Sequence, residues 1–317
     1  MDKSAVILFN MGGPDSLSAI EPFLFNLFRD NDIFKIPFGQ KFFAKLISRR
    51  RAPKVRENYQ SIGQSSPINY WTECQREMLE KELKKELESI RVFTAMRYWK
   101  PEIKDVVKPV AAENFDKIVL LPLYPHYSIT TTGSSFNEWK KRYKGNFSKL
   151  IHVKDYCDNS TYISAINERI DETILKFPKD VQDKIQLVFS AHGTPISLVK
   201  KGDPYNEQIK TTVASVMEAR NFSHDHHLCY QSRVGPVKWL QPFTPDTIRS
   251  LARQNKKHLL IIPVSFVSDH VETLYELGVE YRKIANQLNI DNFEVMKGLN
   301  DSKKFIAALK EIAINSL

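Results

Sequence analysis

The chain has 317 residues, 42% of them hydrophobic, and a formal net charge of +9 from 46 Lys and Arg against 37 Asp and Glu. That length and apolar share suit two globular domains of ordinary size. No apolar run approaches the roughly 18 residues of a membrane span, and the apolar stretch before Gly12-Gly13-Pro14 is too short for a signal peptide.

The three cysteines, Cys74, Cys157 and Cys229, are odd in number and far apart, without C-x-x-C spacing, so a reducing compartment, the cytoplasm, is expected. Net positive charge raises the question of nucleic acid, and the densest basic run is Arg49, Arg50, Arg51, Lys54 and Arg56. No helix-turn-helix, zinc-finger or RNA-binding signature accompanies it, so no nucleic-acid partner is expected. A carboxylate-bearing ligand or an anionic membrane surface accounts for such a patch equally well.

Taken in chain order, short β-branched runs alternate with longer amphipathic, charged segments. The spacing predicts strands at 5–10, 92–96, 118–123 and 150–153, then at 185–191, 227–231, 258–264 and 293–296. Four strands on either side of the polar stretch Asp155 to Ser160 predict an α/β fold of two similar doubly wound, Rossmann-like domains, 1–154 and 161–317, each on a parallel four-stranded sheet. The halves echo each other, because a buried strand runs into a Gly-Pro turn at Asn10-Met-Gly-Gly-Pro14 and into a similar turn at Ala191-His-Gly-Thr-Pro195. Ligands of open α/β sheets sit beyond the carboxyl ends of the strands, so both turns are expected to face a shared cleft. G-x-G-x-x-G, G-x-x-x-x-G-K-[ST] and G-x-S-x-G are all missing, which removes the usual support for nucleotide and serine-hydrolase readings.

His192 follows the apolar run Leu187 to Ala191 and precedes Gly193, which places an imidazole at a sharp strand-end turn and suits a base or a metal ligand. Farther on, the segment from Ser268 to Glu280 reads as a helix. At about 100° per residue, Asp269, Glu272, Glu276 and Glu280 fall within an arc of roughly 80°, while Val271, Leu274, Tyr275, Leu277, Val279, Tyr281 and Ile284 fill most of the remaining circumference. A charge stripe is ordinarily a solvated face. Like charges at i,i+4 repel, however, and only Lys283 shares the arc to offset them. Closely spaced carboxylates accept protons or attract a divalent cation. An imidazole, a helical carboxylate and a line of proton acceptors are what insertion of a metal into a ring bearing two pyrrole protons requires. The cluster His224-Asp-His-His227 reads as a solvated loop rather than a metal site, and His270 stands isolated beside Asp269.

The motifs N-M-G-G-P at 10–14, S-A-H-G-T-P at 190–195 and S-D-H-V-E-T-L-Y-E-L at 268–277 resemble those of the ferrochelatases. The similarity extends to P-K at 53–54, I-G-Q-S-S-P at 62–67, M-R-Y at 96–98, Y-S-I-T-T-T-G-S-S at 127–135 and Q-S-R-V-G-P at 231–236, nearly the whole chain. The resemblance implies a chelatase-like fold and a lyase of haem biosynthesis that inserts Fe2+ into protoporphyrin IX. His192 and Glu272 would then be the catalytic, metal-handling pair, with Asp269, Glu276 and Glu280 as a path for protons or metal. Met11, Tyr59, Trp239 and Phe266 would line the porphyrin, Arg97 and Tyr98 its floor, and Arg51, Lys54 and Ser232 would meet the two propionates. Iron would be a substrate, with no tightly bound cofactor. Members carrying a 2Fe-2S cluster have a cysteine where this chain has Ile129 and three more in a tail, whereas no cysteine follows Cys229 here, so no cluster is expected.

Two other readings are open to the same residues: a chelatase for coproporphyrin or for a sirohaem or cobalamin precursor, and a tetrapyrrole carrier with His192 as axial ligand. The acidic stripe argues against a carrier, which has no protons to remove. Residues 21–56 hold Phe23, Phe25, Phe28, Phe34, Phe38, Phe42 and Phe43 ahead of the basic run. An apolar face beside a basic patch predicts a lip that rests peripherally on the inner face of the membrane and receives an apolar, dianionic porphyrin.

Overall fold

The computed structural model describes residues 3–34, 36 and 38–317. Two compact units result, one running to Tyr156 and taking in Ile306–Leu317, the other Cys157–Phe305. The chain passes from one unit to the other between Tyr156 and Cys157, and its final twelve residues group with the first.

In the first unit β1 (Ser4–Asn10), β2 (Ile90–Met96), β3 (Lys117–Pro122) and β4 (Leu150–His152) form one sheet in the order β2-β1-β3-β4. Every pairing is parallel, with Ser4 opposite both Ile90 and Lys117. The second unit repeats the plan with β5 (Gln186–His192), β6 (His226–Gln231), β7 (His258–Ile262) and β8 (Asn292–Val295) in the order β6-β5-β7-β8, again all parallel. All eight predicted strands are present, with ends displaced by no more than two residues. Parallel strands need crossover helices, which cover both faces of the sheet, so the central strands read as unbroken apolar runs. Ala5 to Phe9 and Leu187 to Phe189 are accordingly fully buried.

The first unit carries helices α1 (Ile20–Phe28), α2 (Gln40–Gln60), α3 (Ile68–Leu83), α4 (Ile103–Ala112) and α5 (Ser134–Arg142). Its core centres on Phe9, whose ring meets Trp139 edge-on at 5.6 Å and Phe136 at 5.9 Å. In the second unit α6 (Ser160–Ile174), the single turn α7 (Ile196–Val199), α8 (Tyr205–Ala219), α9 (Thr244–Arg253) and α10 (Arg282–Gln287) follow, and α11 (Lys303–Ser316) closes the chain. Leu277 and Tyr281 join Val188, Leu259, Ile261 and Phe293 in the core, so the acidic segment is anchored on its apolar side, as its composition predicts.

The acidic segment departs from expectation in its winding. Glu272–Tyr281 is a π-helix, passing directly into α10. Bonding to the fifth residue widens the turn, so positions five apart come into line and the 100° spacing behind the predicted arc does not apply. No helix among the described residues is long and apolar enough to cross a membrane.

Candidate functional site

β5 ends on His192, and the turn that follows depends on Gly193. A Cβ there would lie 2.7 Å from the Gln231 carbonyl oxygen and 3.3 Å from the Trp239 ring, so only glycine lets the two strand ends approach. The His192 N–H donates to Ser265 Oγ at 2.9 Å and its carbonyl accepts the Tyr205 hydroxyl at 3.0 Å. His192 Nδ1 sits 2.7 Å from the Gly193 carbonyl oxygen. A carbonyl only accepts, so Nδ1 holds the proton and Nε2 of the neutral ring keeps a lone pair.

That lone pair faces Glu272, with Nε2 3.7 Å from Oε1. On the other side His270 repeats the arrangement: its Nδ1 bonds the Ser268 carbonyl at 3.1 Å, and its Nε2 lies 3.6 Å from Glu272 Oε2. The Glu272 carboxylate therefore stands between two imidazoles whose tautomers are set by backbone carbonyls. Phe266 packs against both rings, 4.5 Å from His270 and 6.2 Å from His192. His270 Nε2 and Glu272 Oε2 are buried without hydrogen-bond partners, an arrangement that strongly favours a polar visitor. Burial pushes the Glu272 carboxyl up, but the positive charge that His192 and then His270 carry when Nε2 is also protonated pulls it down further, leaving it below the ordinary carboxylate range. Among the described residues no three His, Cys, Asp or Glu side chains form a closed metal cage.

The remaining carboxylates occupy three different environments. Glu276 accepts from the Ser232 N–H at 2.9 Å, the Ser232 hydroxyl, Gln231 Nε2 at 3.2 Å and the Tyr281 hydroxyl at 2.6 Å. Burial and then the Glu272 charge nonetheless raise its pKa above the ordinary value, against those donors. Asp269 is committed elsewhere: Oδ1 accepts from Thr273 Oγ1 and the Gly298 N–H, and Oδ2 from Asn300 Nδ2 at 2.7 Å, which ties the helix start to the loop after β8. Glu280 is exposed. Along the segment Asp269 is thus a buried brace, Glu272 a partner of two imidazoles, Glu276 a hydrogen-bonded group and Glu280 a surface group.

Other expected residues are distributed as follows. Ser232, at φ 62°, donates its N–H and hydroxyl to Glu276. Trp239 is half-buried and donates its Nε1–H to the Val234 carbonyl at 3.1 Å. In the first unit Met11 follows β1, and its carbonyl accepts the Tyr98 N–H at 2.9 Å. Arg97 and Tyr98 converge on Asp30, at 2.9 Å and 2.7 Å, with Ser134 closing the network. Burial and the Asp30 charge push the Tyr98 phenol up. Tyr59 is buried, whereas Arg51 and Lys54 are exposed on α2, the first over the Phe28 ring and the second paired with Glu57.

Sequence reasoning overlooked Asp30 and left His270 without a role. A lone Asp in a loop carries no local signal, but His270 lies two residues before Glu272, and that i,i+2 spacing across a helix start was legible.

The sequence profile of the ferrochelatase family matches residues 3–317. A ferrochelatase of Geotalea daltonii is 46% identical over 315 residues, covering 98% of this chain and 97% of the relative. One from Aquifex aeolicus is 44% identical over 319 residues, covering 99% and 100%. Among solved structures, SirB from Bacillus subtilis with Fe3+ superposes with a TM-score of 0.58 at 11% identity, covering 99% of this chain and 95% of that one, which places the fold among chelatases. The chain belongs to the ferrochelatase family, the lyases of haem biosynthesis that insert iron into a porphyrin.

Proposed function

We propose that this enzyme inserts Fe2+ into protoporphyrin IX to give protohaem. The observation that carries the reading is the Glu272 carboxylate held between the Nε2 atoms of His192 and His270 at 3.7 and 3.6 Å. Two pyrrole protons must leave as iron enters, and an imidazole with a free Nε2 lone pair accepts one when a carboxylate beside it stabilises the resulting imidazolium. His192 is assigned one of the two protons and water the other, while Glu272 supplies the charge compensation and a share of the incoming iron. Imidazole nitrogen and carboxylate oxygen both suit ferrous iron, which passes through as substrate. Met11, Tyr59, Arg97, Tyr98, Trp239 and Phe266 are proposed to contact the porphyrin, with Arg51 and Lys54 meeting its propionates. No tightly bound cofactor is proposed, and Ile129 in place of the cluster cysteine supports a protein without a 2Fe-2S cluster.

Anaerobic incubation with Fe2+ and either protoporphyrin IX or coproporphyrin, followed by the Soret shift, tests this. Faster metalation of protoporphyrin is expected. Preference for coproporphyrin overturns the substrate assignment, and binding without metalation of either porphyrin overturns the enzymatic reading.

Peripheral contact with an anionic bilayer belongs to the same reading. Of the phenylalanines in 21–56, Phe23 and Phe28 are core residues, but Phe38, Phe42 and Phe43 are 88%, 69% and 42% exposed, with Leu46 at 53%. Lys41, Lys45, Arg49 and Arg50 flank them on α2, all exposed. Residues 35 and 37 of the predicted lip lie outside the described residues. Such a face inserts rings into the headgroup region while each cation adds about 1 kcal/mol of attraction that salt weakens. Cosedimentation with anionic liposomes at low salt is expected, and its loss in Phe38→Ser/Phe42→Ser. No sedimentation at low salt removes the membrane from the reading.

A further inference from the structure

A cavity of about 570 Å³ opens at the amino ends of β5, β6 and β7, lined by Lys184, Lys256, Lys257, His224, His258 and Phe222 among others. It is the end of the sheet opposite His192, six residues along β5 from its first residue Gln186, or about 20 Å at the rise of a strand. Its volume lies within the range of small-molecule sites.

Phe222 is the unusual feature. α8 closes with Asn221 and Phe222 both left-handed, at φ 50° and 51°, their N–H groups returning to the carbonyls of Glu218 and Met217. Asn accepts that conformation, whereas a bulky side chain pays for it in steric strain. The Phe222 ring is also 62% exposed, touching the His226 ring at 6.3 Å, so core burial does not hold it there. A strained residue that gains little inside the fold marks a functional constraint.

The charges around the ring define what it could meet. Asp225 is satisfied by Lys256 at 3.1 Å and by Gln186 at 3.2 Å. Lys184 and Lys257 instead bond, among the described residues, the neutral carbonyls of Asp180 at 3.3 Å and Asn289 at 2.7 Å, and Asp183 is a further carboxylate in the lining. His224 is fixed with Nε2 donating to the Gln182 carbonyl at 3.0 Å, and His258 Nδ1 bonds Asn292 at 2.7 Å, so neither is poised as part of a metal cage.

We propose that this cavity is a second ligand site, taking a flat aromatic ring that carries a phosphate, as a nucleoside monophosphate does, with the ring against Phe222 and the phosphate between Lys184 and Lys257. The ring supplies a stacking face for any base, and two ammonium groups with one nearby carboxylate match a single phosphate. The site stands apart from the metal-insertion residues and does not depend on their assignment.

Titration calorimetry of the full chain with AMP, adenosine and inorganic phosphate tests it. AMP is expected to bind about ten-fold more tightly than either fragment. Phe222→Asn keeps a residue suited to the left-handed turn and removes the ring, so it should weaken AMP about ten-fold, leave phosphate within about two-fold and leave the melting temperature unchanged or higher. Lys184→Ala/Lys257→Ala should weaken AMP and phosphate together, and iron insertion by Phe222→Asn should match the parent protein. The proposal is overturned by AMP showing no binding at millimolar concentration, by phosphate binding as tightly as AMP, or by AMP affinity unchanged in Phe222→Asn.

Discussion

His270 holds its Nε2 3.6 Å from Glu272 Oε2, and neither atom has a hydrogen-bond partner. That separation leaves both atoms open to an incoming group, and when its Nε2 is also protonated His270 is one of two imidazolium neighbours that keep Glu272 ionised. Replacing His270 with Ala removes one of the two influences that pull the Glu272 carboxyl down, so its pKa rises. Insertion needs the ionised form, and the acid limb of the rate profile should move to higher pH. Rates of Soret shift followed from about pH 3 to 7, a window that spans the ordinary carboxylate range, check this, and an unmoved limb would separate His270 from the carboxylate.

His192→Ala should abolish iron insertion and leave porphyrin affinity within a few-fold, because apolar contacts dominate ring binding. Fluorescence quenching of the porphyrin measures affinity, and the Soret shift measures turnover. Near-normal turnover in this variant would defeat the central assignment.

Glu272→Gln should lower the insertion rate by about 10²-fold or more, the usual scale for loss of a positioned acid–base group. Glu280→Gln, at an exposed position, should stay within about two-fold. Equal small losses at both positions would return the acidic segment to a solvated charge stripe.

Tyr281→Phe removes the 2.6 Å hydrogen bond to Glu276 from a ring that also belongs to the core. Glu276 has a raised folded-state pKa, so its contribution to stability is fully present below the ordinary carboxylate value and declines as pH rises through the raised one. Without the phenol the folded-state pKa rises further. The variant should therefore lose about 0.5–1.5 kcal/mol at pH 4, where a neutral bond is removed, and about 1.5–3 kcal/mol at pH 8, where a charged one is. Urea unfolding at the two pH values checks that the gap widens upward.

Gly193→Ala places a methyl 2.7 Å from the Gln231 carbonyl oxygen, and neither strand end moves freely. A loss of about 1–3 kcal/mol in stability is expected, together with a fall in turnover as His192 shifts. Thermal unfolding alongside the insertion assay measures both effects.

All eight strands, the doubled α/β plan and the pairing of His192 with Glu272 were legible in the sequence. The strands rest on a local signal, because an unbroken apolar run is a parallel strand covered on both faces, whereas the pairing was implied by the resemblance of the motifs. Tertiary structure decided the rest. The same ten residues with Leu277 and Tyr281 facing the core wind as a π-helix rather than an α-helix. It brings Tyr281 into line with Glu276 five residues earlier, while Ser232 and Gln231, some forty residues away, complete the anchor. Asp269, which the spacing grouped with the others, is drawn off by Asn300 and Gly298 from beyond β8. Asp30 meets Arg97 and Tyr98 across 67 and 68 residues. Periodicity encodes which face of an element is apolar, because that depends on neighbours along the chain. Which donor reaches which carboxylate depends on contacts between segments remote in sequence, and only the folded chain brings those together.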